Sequence, residues 1–394
     1  MVYLVRLFYN LILTFLIIFF VPLWYFLNVR KGYKVGLLER FLLKTKKLDY
    51  QPVWIHCAST GEIKTALPII DYIKSKEKVL LTVFSPRAYN FAVNNLKDMT
   101  VVFLPFDFGF LIKRFLKVYN PKLLIVEEAE FWFNLIYHSS KKIPVISINT
   151  KLPKNVNNIY YREILKRFSF FIVRTEEDKQ PLKKVVAEDK IAVCGNLKLL
   201  SQVNLKDVKL DKKGKKVILA GSTHYPEEEI LIKVFQKIKE TLPNTCLIIA
   251  PRHVERVKEI IQTIKKYNLS FDLRSKTLAL DNDVYIVDTL GELSSLYKYG
   301  DVVFVGGTFS KVGGHNIFEP ILTGKKVIIG KNYFKIKDLV IQGEKLGAVV
   351  VVEDENQLKD AILELLKNSD LKVDISKIQI DIYNCYKKEI DRWI

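Results

Sequence analysis

From Gln51 onward the chain keeps returning to one pattern, a short run of β-branched or large apolar residues followed by a longer amphipathic stretch. The runs fall at 53–56, 79–84, 100–104, 123–127, 145–149 and 170–173, and again at 217–220, 245–250, 284–287, 302–305, 326–329 and 349–352. Apolar runs of that length separated by helical patterns argue for parallel sheets assembled from βαβ units. A polar, lysine-rich stretch at 204–216 breaks the series in two. We therefore expect two α/β domains joined near residue 210, with the amphipathic segment 375–394 packing back on the first. In such sheets ligands bind beyond the carboxyl ends of the strands, so the residues just after each run carry the chemistry.

Ahead of this region, residues 7–27 form an uncharged apolar run between Arg6 and Arg30, long enough to fill a bilayer core. It ends in Trp24, Tyr25 and Phe26, an interfacial aromatic belt rather than a small-residue cleavage site. A retained single-pass anchor is the reading we adopt, with a buried core helix or monotopic insertion as the alternative. Arg30, Lys31, Lys34, Arg40, Lys44, Lys46 and Lys47 follow the run while only Arg6 precedes it, which places the large body in the cytoplasm, tethered to the inner face of the membrane. The net charge of +19 then suits an anionic lipid surface better than nucleic acid.

The 394 residues are 49 % hydrophobic and 27 % charged, which excludes a mainly disordered or low-complexity chain. Cys57, Cys194, Cys246 and Cys385 lie far apart, and no histidine pair has metal-ligand spacing. We expect reduced thiols, no zinc and no catalytic metal. Asp281-Asn282-Asp283 resembles a D-x-D metal site but precedes its strand, and reads as a turn.

The first run leads into Cys57-Ala58-Ser59-Thr60-Gly61-Glu62 and then a helical pattern. Ser59-x-x-Glu62 reads as a capping box; the functional alternative is a carboxylate able to take a proton from a substrate hydroxyl, with Gly61 leaving room for a sugar. Later, Gly306-Gly307-Thr308 leads to Gly313-Gly314-His315-Asn316-Ile317-Phe318-Glu319. Glycines ahead of a helix let backbone amides approach a phosphate, and His315 and Glu319, four apart on one helical face, would meet the rest of a nucleotide. Gly221-Ser222-Thr223-His224 and Pro251-Arg252-His253 also follow strands; Arg252 offers a bidentate phosphate partner, and Ser222 and Thr223 offer donors. Each of these strings also reads as a helix cap. Asp288-Thr289-Leu290-Gly291-Glu292 is a similar case.

Together the strings resemble the 3-deoxy-D-manno-octulosonic acid (Kdo) transferases. The likeness runs through His56 to Glu62, Leu104-Pro105-Phe106-Asp107, Pro121-Lys122-Leu123-Leu124-Ile125, Glu130-Phe131-Trp132, Gly195-Asn196-Leu197-Lys198, Gly221 to His224, Pro251-Arg252-His253, Asp288 to Leu293 and Gly313 to Glu319. It departs from the family at Ser85-Pro86-Arg87-Ala88, Thr150-Lys151 and Tyr225-Pro226. The resemblance implies a GT-B glycosyltransferase, two Rossmann-like domains facing a cleft, working without a metal or other cofactor and inverting the sugar. CMP-Kdo would be the donor and the lipid A precursor lipid IVA the acceptor, in lipopolysaccharide synthesis.

Carried over by position, Glu62 is the catalytic carboxylate. Ser222, Thr223, Arg252, His253, Gly291, Gly313, Gly314, His315, Asn316 and Glu319 form the donor side. Ser59, Thr60, Gly61, Glu130 and Lys198 lie on the acceptor side. The expected parts are an anchor at 1–29, an acceptor domain at 30–210, a CMP-sugar domain at 211–374 and the closing segment at 375–394. A GT-B enzyme using a UDP-sugar, or a non-catalytic basic lipid-binding protein, are the competing readings.

Overall fold

Burial on both faces explains why the apolar runs lack polar alternation: each becomes a strand of a parallel sheet covered by helices. The computed structural model describes residues 2–153, 156–200, 207–367 and 373–394. The chain divides into two compact units, Met1–Ser201 with Ile378–Ile394, and Gln202–Lys377.

In the first unit, β1 (Val53–His56), β2 (Val79–Val83), β3 (Thr100–Phe103), β4 (Leu123–Glu127), β5 (Val145–Thr150), β6 (Phe170–Val173) and β7 (Ile191–Val193) form one sheet in the order β3-β2-β1-β4-β5-β6-β7. Because β1 pairs in parallel with both β2 and β4, the strand order reverses there. In the second unit, β8 (Lys216–Thr223), β9 (Thr245–Pro251), β10 (Phe271–Leu273), β11 (Val284–Ile286), β12 (Val302–Val305), β13 (Val327–Gly330) and β14 (Val349–Val352) run β10-β11-β9-β8-β12-β13-β14. There β8, paired with β9 and β12, marks the reversal. Such a reversal opens a crevice at the carboxyl edge of a sheet, where ligands bind.

The helix Val2–Arg30 is long and apolar enough to cross a membrane. It packs along the first unit, with Val2, Val5, Tyr9, Ile17 and Val21 against the core. Polar contacts fasten its early turns: Arg6 Nε donates to Asn134 Oδ1 at 3.1 Å and Tyr9 Oη to Asp107 Oδ2 at 2.7 Å. Near its far end Trp24 stacks on Phe84, ring centroids 6.3 Å apart. The opposite face, with Leu4, Phe8, Leu11, Phe15 and Phe19, is exposed.

Several expectations are corrected. Arg40 is not part of a basic surface flank: it is fully buried, donating to the carbonyls of Val35, Leu104 and Phe84 among the rings of Trp24, Phe84 and Phe103. The thiols are not all reduced, since Cys194 and Cys385 form a disulfide across 191 residues of sequence, a separation that hides the pairing from any spacing rule. Of the polar stretch 204–216, residues 204–206 lie outside the described residues. Val208 and Leu210 are buried, and Asp211 bridges to Ala279, so this part belongs to the second unit and not to an acceptor domain running to residue 210. The helix Ser376–Ile390 lies on the first unit, where Tyr386 Oη donates to the Gly195 carbonyl at 2.9 Å and Gln379 Nε2 to that of Leu199 at 2.6 Å.

Candidate active site

Residues after β1 and β4 flank the reversal in the first sheet. Ser59 caps the helix Thr60–Lys74: its Oγ accepts from Glu62 N at 3.3 Å and donates to Glu62 Oε1 at 2.8 Å, while Ala58 N donates to Glu62 Oε2 at 2.7 Å. The Ser59 cap is therefore formed, with Glu62 reaching back to Ala58 N rather than to Ser59 N, and it also fixes the carboxylate at the strand's carboxyl end. Each carboxylate oxygen has a second lone pair, so one on each remains for a substrate proton. Burial pushes the Glu62 carboxyl up, with Ser59 and Ala58 pulling the other way and the charge of Glu130 adding to the rise. Thr60 Oγ1 is buried without a hydrogen-bond partner among the described residues. A side chain at Gly61 would meet nothing nearer than Ser59 Oγ at 3.7 Å, so this turn has open space beside Glu62.

Across the reversal, Glu130 Oε2 accepts from Trp132 Nε1 at 2.5 Å and lies 3.9 Å from His56 Nε2. Burial raises this carboxyl, but His56 and Trp132 outweigh it and hold it below the usual range. Lys198 sits in the turn Leu197–Leu200, its N–H donating to Asn196 Oδ1 at 3.0 Å. Sequence reading passed over Glu127, which ends β4 fully buried. Its Oε1 accepts from Asn149 Nδ2 at 2.8 Å, and burial pushes the carboxyl up to about 8. Asn149 in turn accepts from Arg174 Nε. No local motif marks this network, whose members come from three strands and the loops after them.

In the second unit the organising residue is Glu227, also missed. Fully buried, it accepts four backbone N–H groups: His224 at 2.9 Å and Gly307 at 2.8 Å on Oε2, Thr308 at 2.8 Å and Phe309 at 2.9 Å on Oε1. It thereby joins the loops after β8 and β12 at the reversal. The glycines do not present free amides as expected, because Gly313 N and Gly314 N both donate to the Gly307 carbonyl, at 2.9 and 2.7 Å. Their role is close packing at positive φ, where a side chain on Gly313 would come within 2.6 Å of Phe334 and one on Gly314 within 2.6 Å of Ile336.

His315 is not on a helix with Glu319 either. The helix begins at Phe318, whose N–H Asn316 Oδ1 accepts at 3.1 Å, which leaves His315 in the preceding loop. There it stacks on His224, and His253 meets His224 edge-on with centroids 5.5 Å apart. Glu319 accepts from Ser294 Oγ at 2.7 Å and Asn316 Nδ2 at 3.3 Å. Ser222 takes a positive φ of 55° at a bulge in β8, and Thr223 Oγ1 is buried with no partner among the described residues. Arg252 is exposed, and His253 Nδ1 lies 3.3 Å from Glu255. Gly291 turns at φ 80° before Glu292, which pairs with Arg274 at 3.1 Å. Asp283 is held by Lys239 and by Ser270 N, and Asn282 by Asp272, as in a turn. Among the described residues no group of three or more His, Cys, Asp or Glu side chains is arranged to hold a metal ion.

Residues 35–201 match the family model described as 3-Deoxy-D-manno-octulosonic-acid transferase (kdotransferase), and residues 202–380 match Glycosyl transferases group 1. A 3-deoxy-D-manno-octulosonic acid transferase of Aquifex aeolicus is 36 % identical over 366 residues, covering 91 % of this chain and 98 % of that one. The chain belongs to the Kdo transferase family. The Kdo transferase of Rickettsia prowazekii is 30 % identical over 340 residues, covering 82 % of this chain and 73 % of its own. A crystal structure of UDP-N-acetylglucosamine 2-epimerase, 14 % identical, superposes with a TM-score of 0.61 over 89 % of this chain and 97 % of that one, a likeness of fold. A Kdo transferase with two parallel seven-stranded sheets has the GT-B fold.

Proposed function

We propose that this Kdo transferase moves Kdo from CMP-Kdo to a hydroxyl of the lipid A precursor lipid IVA, in lipopolysaccharide synthesis at the cytoplasmic face of the inner membrane. The hydroxyl oxygen attacks the anomeric carbon, the bond from that carbon to the CMP phosphate oxygen breaks, CMP leaves with the electron pair, and the hydroxyl proton passes to Glu62. Attack opposite the leaving group inverts the anomeric centre. The carrying observation is the Glu62 carboxylate, tethered by Ser59 and Ala58 at the end of β1 with its pKa raised by burial. A raised pKa makes a stronger base, and fixed geometry lowers the cost of reaching the reactive arrangement.

On the donor side, the loop amides are satisfied internally, so the phosphate would be met by the side chains of Ser222, Thr223, Arg252 and His253. The unpartnered Thr223 hydroxyl and the exposed Arg252 supply donors there. No cofactor or metal enters this reading. The exposed apolar face of the helix Val2–Arg30 would hold the enzyme against the membrane that carries its acceptor.

The test is transfer from CMP-Kdo to lipid IVA in detergent, with products resolved by mass, wild type beside Glu62→Gln. Product from wild type and a loss of about 10² to 10⁴ in turnover for the variant is expected. Near-normal turnover in the variant removes Glu62 as base. Thermal protection by UDP rather than CMP points to a UDP-sugar donor.

A further inference from the structure

A cavity of about 640 Å³ lies in the first unit where the start of the Val2–Arg30 helix meets the helices Gly109–Tyr119 and Phe133–Ser139. Arg6, Lys113, Lys117, Lys141 and Lys142 line it. Among the described residues no carboxylate lies within ion-pair distance of any of the five. Cations gathered without a counter-charge repel one another, and an anion offsets that cost. Here the gathering is tight: the Arg6 and Arg167 guanidinium groups and the Lys141 ammonium all lie over the Tyr137 ring, at 5.2, 4.4 and 4.1 Å.

His138 also lines the cavity. It is 6 % exposed, and its Nε2, beside Gly109 and the Arg6 guanidinium, is buried with no hydrogen-bond partner among the described residues. Burial, then the charges of Arg6, Lys113 and Lys141, push this imidazole down to about 4, so it is neutral at physiological pH. A buried polar atom without a partner is rare and costly in a folded protein.

The surroundings state what kind of anion fits. Asn120 and Pro121 precede β4, and Lys142 and Ile143 precede β5, so the cavity sits at the amino edge of the parallel sheet, the opposite edge from Glu62. It is therefore separate from the transfer site. At its rim Phe110, Lys113 and Lys117 share one face of their helix, all exposed, an aromatic and basic surface of the type that sits at a membrane interface. The N-terminal helix touches this unit from Val2 to Trp24, which leaves one long face for lipid and suits a helix lying in the interface rather than crossing alone.

We propose that this cavity is a headgroup site for an anionic phospholipid, taking the phosphodiester among Arg6, Lys113, Lys117, Lys141 and Lys142 beside the exposed Phe110. This occupancy goes beyond sugar transfer and needs neither the donor nor the acceptor.

Binding of monomeric dihexanoylphosphatidylglycerol to the full chain, followed by calorimetry, tests it. Wild type takes up one saturable equivalent, Lys113→Gln/Lys117→Gln/Lys142→Gln weakens it at least tenfold, and the matched charge change Lys237→Gln/Lys258→Gln/Lys265→Gln on the second unit leaves it unchanged. All six lysines are exposed, so folding is not at stake. Equal binding by the first triple variant overturns the site, and equal binding of dihexanoylphosphatidylcholine overturns its charge selectivity. Inorganic phosphate binding as tightly as the lipid reduces it to a free-anion site and overturns the lipid assignment. None of these readouts involves turnover, so they stand or fall apart from the Kdo reading.

Discussion

His224 and His315, ninety-one positions apart, meet through their Nε2 atoms at 2.8 Å with rings stacked 8° from parallel. One ring must be a neutral acceptor for that bond to exist. Burial, then the neighbouring cations, push His315 down to about 4, and burial lowers His224 as well. An unfolded histidine titrates near 6.5, so between about pH 4 and 6.5 the unfolded chain binds more protons. The stability from this pair is complete above that range and drains away as pH falls through it. Thermal melts should show a midpoint several degrees lower at about pH 5 than at about pH 7, and a shallower dependence in His315→Asn. An unchanged slope in the variant assigns the pH sensitivity elsewhere.

Glu227 offers a sharper stability test. Its two oxygens accept four buried backbone donors, and glutamine can serve at most two of them while setting its own N–H against the others. Glu227→Gln should cost about 2–4 kcal/mol in urea unfolding. CMP should also lose its thermal protection of the variant, since the loops after β8 and β12 are no longer tied together.

For Glu62 the informative measurement is the pH profile of transfer. A base must be ionised to accept a proton, and burial raises its pKa from the usual carboxylate value. The acid limb of kcat should therefore lie above the ordinary glutamate range, and Ser59→Ala, which removes a bond stabilising the ionised form, should move it higher still. A limb unmoved in Ser59→Ala disconnects the capping contact from the chemistry.

The Cys194–Cys385 bond closes a loop of 191 residues, for which chain-entropy reasoning gives about 2–5 kcal/mol. Reduction, or Cys385→Ser, should lower the melting midpoint. It should also raise hydrogen exchange in the helix Ser376–Ile390 before the sheet of the first unit responds. Uniform exchange across the whole unit would deny the bond this local role.

What the sequence determined by itself is local. Runs such as 53–56 and 302–305 are apolar throughout because both sheet faces are covered, and their strands fall where the pattern says. The three-residue edge strands β7 and β10 escaped, being too short for a pattern. Ser59 and Glu62 were legible because a capping box is written in four consecutive positions, and the family strings were legible because each lies in one loop.

Tertiary structure decided what depends on distant partners. Arg40 looks like a flank cation until three carbonyls and several rings enclose it. Glu227, Glu127 and the Cys194–Cys385 pair carry no local signature, and His315 lies outside its predicted helix, which begins only at Phe318. Backbone preference and hydrophobic period act over a few residues, whereas ion pairing, polar satisfaction and disulfide closure are set by groups that only the folded sheets bring within hydrogen-bond reach.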